Sequence, residues 1–316
     1  MRYPLKQDGP RGLAKTLALL TLTALAALKL SQAATGVQPP QFHLPDWVPV
    51  DITADPVKGV LVLESKGQVS RIFKDETGLH QDILFTVALP EVVQTLTAGS
   101  DAVYVAANSR IGCTDFRYAF ATGQVSRKSI SPDSPCDGIA AAGHSLFVLL
   151  SKTKKLELWE NWDYESPRAE SLEQLQRPAF LVFDKVGQRL LLSESPTSLR
   201  IDMNTTGPNL GNLTHQTPIT DFRVHAVSVQ NGKVTPIVSG FTQRITSITP
   251  GRDYIFIASG KRISVVRRSD NHSEKTPIAL ETMTGGAISG VAADAEGKLW
   301  YADIGKGAIA GPLTIE

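Results

Sequence analysis

Six times along the chain a short apolar run is bounded by turn residues: GVLVLES at Gly59, AVYVAAN at Ala102, SLFVLLS at Ser145, RLLLSES at Arg189, YIFIASG at Tyr254 and KLWYADI at Lys298. Runs of this length, rich in branched and aromatic residues and closed by turn formers, read as buried strands. Their ends align Glu64, Ala107, Leu150, Glu194, Ser259 and Asp303 in one column, with steps of 43, 43, 44, 65 and 44 residues. About nine to eleven residues upstream of each run sits a second short strand, as in TLTAGSDAVYV and SITPGRDYIFI, which makes hairpins. A polar segment with further strand signals follows, such as AVSVQNGKVTPIV with its Asn231-Gly232 turn.

A period near 43 with several strands per unit is the signature of a β-propeller. The fold class expected is all-β, a six-bladed propeller. A seven-bladed ring would have to hide a blade in the 65-residue step, which is too short for two, and a β-sandwich is the remaining competitor. That long step places an insertion at about 203–222 in blade 4. SPRAESLEQLQRP, opened by Ser166 and Pro167 and stopped before Pro178, reads as a helical excursion at about 166–177. The chain ends soon after the inner strands of the last copy, so PQFHLPDWV, near Phe42 to Val48, is expected to supply the missing outer strand and close the ring.

The segment GGAISGVAADAEGKLWYADIGKGAIAGPL, Gly285 to Leu313, resembles the repeat of NHL-type propellers. It is also similar to the repeats of virginiamycin B lyase-like proteins and of gluconolactonase and strictosidine synthase relatives. That resemblance implies a central tunnel with a ligand or divalent metal held at one mouth. The first blade reads VLVLESKG, with Ser65 after Glu64 where the lactonase-like enzymes carry Gly-Pro. For the lyase, no HxE-type pair carries over.

Residues 1–33 read as a signal peptide: Arg2, Lys6, Arg11 and Lys15 precede the apolar run Leu17 to Leu28, and small residues at Ser31 and Ala33 mark a cleavage site. Residues 34–316 then form the single propeller domain, with no stable membrane span after cleavage and a periplasmic or secreted location expected. Removal of the signal leaves 27 basic and 30 acidic residues, a formal charge near −3 that carries no footprint for nucleic acid. A monomer is expected. Two cysteines in an exported chain make a Cys113–Cys136 disulfide the natural pairing, a staple in one repeat.

The column's carboxylates have two readings. Glu64, Glu194 and Asp303, joined by Asn108, could converge on Ca²⁺ or another divalent cation at a tunnel mouth. Alternatively each caps a turn, accepting hydrogen bonds from turn N–H groups. The cluster LWENWDYESPR sets Trp159, Trp162 and Tyr164 close together, either as an exposed binding platform or as packing between blades. The six histidines include no HxH or HExxH spacing, and no GxSxG is present. Without an assembled catalytic set, the chain reads as a module binding a small-molecule or protein ligand at the channel mouth or at the rim of residues 159–178 and 203–222. The alternative is a metal-dependent hydrolase, lactonase or lyase.

Overall fold

The computed structural model describes residues 40–44, 48–87, 91–110, 112–163, 166–195, 221–268, 278–281 and 286–314. Every regular element among them is a strand, and the strands form six four-stranded antiparallel sheets. The signal segment, nearly all of the insertion and Tyr164 lie outside the described residues. Inner strands Pro49–Ala54, Val92–Ala98, Gly138–Ala142, Pro178–Asp184, Ile245–Pro250 and Ile288–Ala293 each touch the next around a closed ring. The protein is a six-bladed β-propeller.

Continuous burial of the repeated runs follows from strand alternation. In Val60–Glu64 every residue is buried. Leu61 and Leu63 face blade 2 in one cluster, whereas Val60 and Val62 face blade 6 in another. Ala102, Tyr104 and Ala106 likewise pack toward blade 3 while Val103, Val105 and Ala107 pack toward blade 1. Each of the six apolar clusters fills the space between two adjacent blades.

The ring closes as expected from the sequence. Gln41–His43 pairs with Ala308–Ala310 as the outer strand of the last sheet. Leu44 N–H donates to Gly307 O at 2.8 Å, and Leu44 and Phe42 join the blade 6/blade 1 cluster. The Cys113–Cys136 disulfide is present, tying the third strand of blade 2 to the segment entering blade 3.

The expected helix at 166–177 is absent. Arg168–Ser171 is instead the fourth strand of blade 3, paired with Lys155–Leu158, and a turn with Leu175 N–H on Leu172 O follows it. Leu172 and Leu175, three apart as on a helix face, are two plugs in the blade 3/blade 4 core. The unpaired edge of Lys155–Trp159 outweighed a helical propensity that is weak over so short a stretch.

Deleting residues 1–47 should cost about 3–5 kcal/mol, from the half-buried Phe42, the buried Leu44 and the lost strand pairing. Urea unfolding of truncated and full chains checks this, and equal midpoints would contradict closure by this strand.

Candidate functional site

Five of the six inner strands begin with a register shift, between Pro49 and Asp51, Val93 and Thr95, Pro178 and Leu181, Ile245 and Ser247, and Ile288 and Gly290. A bulge turns an extra side chain out of the pleat. Here the extra residues are Val50, Gln94, Phe180 with Ala179, Thr246 and Ser289, and all of them line one cavity of about 230 Å³. Blade 3 has no bulge and contributes Asp137, immediately before its inner strand. One position per blade therefore converges on the channel, and the six blades build its mouth together.

Below this ring, residues one position further on join several of the blades to their neighbours. Asp51 Oδ2 accepts from Thr95 Oγ1 at 2.7 Å and from Leu96 N–H at 3.0 Å. Ser247 Oγ accepts from Val291 N–H at 3.1 Å. Where blade 3 meets blade 4, Gly138 has no side chain, and a Cβ there would come within 2.8 Å of Leu181. Gly290 meets Ile52 in the same way between blades 6 and 1.

The mouth carries charge of both signs. Asp137 accepts from Ser151 N–H at 2.9 Å; burial pushes its carboxyl up, while Ser151 and the Arg244 guanidinium pull it back. Burial pushes Asp51 up to about 6, against the pull of Thr95, Leu96 and Ile52. Arg244 lines the same cavity and is exposed.

The column predicted as a cation site does not assemble. Among the described residues no group of three or more His, Cys, Asp or Glu side chains is placed to hold a metal ion. Each member is used within its own neighbourhood. Glu64 Oε1 accepts from Gln68 Nε2 at 3.1 Å and Ser70 Oγ at 3.3 Å. Asp303 Oδ1 accepts from Lys306 N–H at 3.2 Å, capping the turn that follows it. Asn108 bonds both the N–H and the C=O of Cys136, at 2.9 and 3.0 Å, beside the disulfide. Glu194 Oε1 accepts from Gln176 N–H, and its Oε2 lies 2.7 Å from His225 Nε2.

That last pair lines a second cavity of about 450 Å³ between the turn at 174–176 and blade 4. A carboxylate–imidazole pair can hold and pass a proton. The described residues lining this cavity include no Ser, Thr, Cys or Lys to act as nucleophile. His144 is exposed in the turn between the first two strands of blade 3 and stands 3.6 Å from Asp101.

Trp159 and Trp162 are only 3% and 8% exposed and belong to the core between blades 2 and 3. Trp162 Nε1–H donates to Asp115 Oδ2 at 2.5 Å, and Lys128 Nζ donates to the Trp162 carbonyl at 2.6 Å. The two rings thus join blades rather than offer a stacking platform to solvent. The throat residues carry a sequence signal of their own: Val50, Gln94, Asp137, Phe180, Thr246 and Ser289 each lie 13 or 14 positions before the column residue of their blade.

No family profile matches the chain, and no curated protein matches it in sequence. Similar folds occur among solved structures. A chain of "Crystal structure of Nidogen/Laminin Complex" matches at 14% identity and TM-score 0.56, covering 76% of this chain and 83% of that one. "Crystal structure of glucose dehydrogenase" matches at 13% identity and TM-score 0.57, covering 86% and 98%. "Crystal structure of WD40 beta propeller domain of Doa1" matches at 11% and 0.53, covering 87% and 96%. These likenesses support the propeller fold, and the narrower resemblance to NHL or lactonase-type repeats gains no family match.

Asp115 generates a pH prediction. Burial pushes its carboxyl up to about 7, against the pull of Trp162, Arg117 and Lys128. A group whose folded pKa is raised contributes stability that is complete below the unfolded value of 3.8 and lost as pH rises through about 7. Asp115→Asn keeps an acceptor for the Trp162 indole and removes the titration. The wild-type protein should lose up to a few kcal/mol relative to this variant between about pH 4 and pH 8, read by urea unfolding. Asp51 contributes a slope of the same sign that ends near pH 6 and persists in the variant.

Proposed function

We propose that this protein is an exported binding module whose ligand seats in the channel mouth. The observation that carries the reading is the convergence of one side chain from every blade on a single concavity of about 230 Å³. Five of the six reach it through bulges, the device by which strands re-aim side chains at functional sites. Concave sites with a few convergent polar groups are the usual form of ligand sites. Propellers serve both as binding proteins and as enzymes, so the fold is neutral between them and the choice rests on the site.

A periplasmic or secreted setting is part of the proposal. It is supported by the N-terminal sequence pattern of residues 1–33 and by the disulfide, which oxidising compartments favour. Among the described residues no helix is long and apolar enough to cross a membrane.

Gln94 lines the throat, is exposed, and makes no side-chain hydrogen bond among the described residues, so Gln94→Trp should fill the mouth without unfolding the chain. In thermal-shift screening against a panel of small metabolites and short peptides, compounds that stabilise the wild type should fail to stabilise Gln94→Trp. A ligand at a hundred times its Kd stabilises by about 2.7 kcal/mol, which is well within detection. Ligands that bind both forms equally, or that respond only to substitution of Glu194 or His225, would overturn the reading.

A further inference from the structure

Resting on the channel-mouth reading, we propose that the mouth face docks an acidic, aliphatic polypeptide segment of a partner protein. One carboxylate would sit at Arg244 and apolar side chains would lie on Val48, Val92 and Ile304. The argument begins with antiparallel register. Pro49 pairs with Glu64 and Ile288 with Asp303, so the turn after each second strand lies on the face where the inner strands begin. Ser65 N–H to Val48 O at 2.9 Å and Ile304 N–H to Ala287 O at 2.8 Å tie two of these turns to the mouth rim.

Each turn of this kind that is described in blades 1, 2, 3, 5 and 6 carries an exposed basic residue: Lys66, Arg110, Lys152, Lys261 and Lys306. Arg244 adds a cation at the mouth itself, two positions before the throat residue Thr246. The equivalent positions in blades 1, 2 and 6 are Val48, Val92 and Ala287.

Among the described residues, the carboxylates on this face divide by side. Asp133, Asp137 and Glu173 are exposed in the segments entering blades 3 and 4. Over blades 6, 1 and 2, Asp303, Glu64 and Glu91 are buried, and Glu91 is ion-paired with Arg127. Among the described residues, exposed charge along the arc from blade 5 through blades 6 and 1 to blade 2 is therefore mostly positive, with Arg244, Lys306 and Arg110 on it.

Within that arc Val48, Val92 and Ile304 are 42%, 63% and 41% exposed, and Ile304 lines the mouth cavity. At its inner edge Ser289 lines the cavity, 93% buried, its hydroxyl without a partner among the described residues. Cations beside exposed aliphatics complement a peptide that alternates carboxylates with leucine-like residues. Single-stranded nucleic acid asks for aromatic stacking platforms instead, and the described mouth-face residues of the arc offer none.

The test is fluorescence anisotropy with a labelled peptide of four Glu-Glu-Leu repeats, its Gln-Gln-Leu counterpart, labelled heparin and a labelled single-stranded oligonucleotide. The acidic peptide should bind the wild type, weaken by about tenfold or more in Lys66→Glu/Lys306→Glu and in Arg244→Glu, and weaken with added salt. Lys185→Glu/Arg252→Glu, an equal charge change in turns at the opposite face, should leave binding unchanged. Gln94→Trp separates the two readings. If the charge reversals abolish binding and Gln94→Trp does not, the docking arc stands and the throat reading fails. Absent binding of the acidic peptide, equal binding of the Gln peptide, tighter binding of heparin or oligonucleotide, or equal loss in the opposite-face variant would each overturn the proposal.

Discussion

The inner strand of a propeller blade has a sheet neighbour on one edge only, and its other edge faces a channel. Backbone N–H groups on that edge need partners, since a buried amide left unbonded costs about 1–3 kcal/mol. In this protein the preceding blade's inner strand supplies them from side chains. Asp51 takes the Leu96 amide, Thr97 the Ala141 amide, Ser247 the Val291 amide and Thr249 the Ala293 amide. Blades 4 and 5 use a different device, in which Arg268 bonds both oxygens of Asp184 at 2.7 and 2.6 Å. Burial pushes Asp184 up, but Arg268, the Gly187 amide and Arg189 more than offset it and hold the carboxyl below its usual range. Glycines at 138 and 290 close the remaining two interfaces by letting chains approach.

This fastening explains why the mouth is where it is. A bulge just before the fastening residue shifts the strand's register, so Asp51, Thr95, Ser247 and Gly290 face a neighbouring blade while Val50, Gln94, Thr246 and Ser289 face the channel. Structure and site are thus adjacent positions of one repeat. The throat can vary in chemistry from blade to blade because the positions that hold the ring together are the ones after it. That freedom is visible in the throat set itself, which runs from an aliphatic and an aromatic side chain to an amide, a carboxylate and two hydroxyls.

Much of the architecture was legible because it rests on repetition and alternation. The column from Glu64 to Asp303 located six second strands, the shortfall after the last copy located the closing strand at Phe42, and two cysteines in a chain of this kind located the disulfide. What was not legible depended on long-range partners. Arg168 to Ser171 reads as helix alone and becomes a strand only because Lys155–Leu158 has an open edge. Glu64, Glu194 and Asp303 look like a cation set when aligned, yet Gln68, His225 and the Lys306 amide each claim one of them locally. The tryptophans near position 160 read equally as an exposed platform or as packing between blades, and it is Asp115 and Lys128 of the preceding blade that draw Trp162 inward. The throat residues were hidden because a bulge breaks the alternation that sequence patterns rely on.

The central claim is that side chains of one inner strand satisfy the channel-facing amides of the next. Hydrogen–deuterium exchange read by NMR at Leu96, Ala141, Val291 and Ala293 tests it most directly. These amides have side-chain acceptors from the adjacent blade, so they should exchange as slowly as the central amides of the second strands, opening only with global unfolding. Exchange at rates close to those of exposed turn amides, with the second strands still protected, would contradict the account.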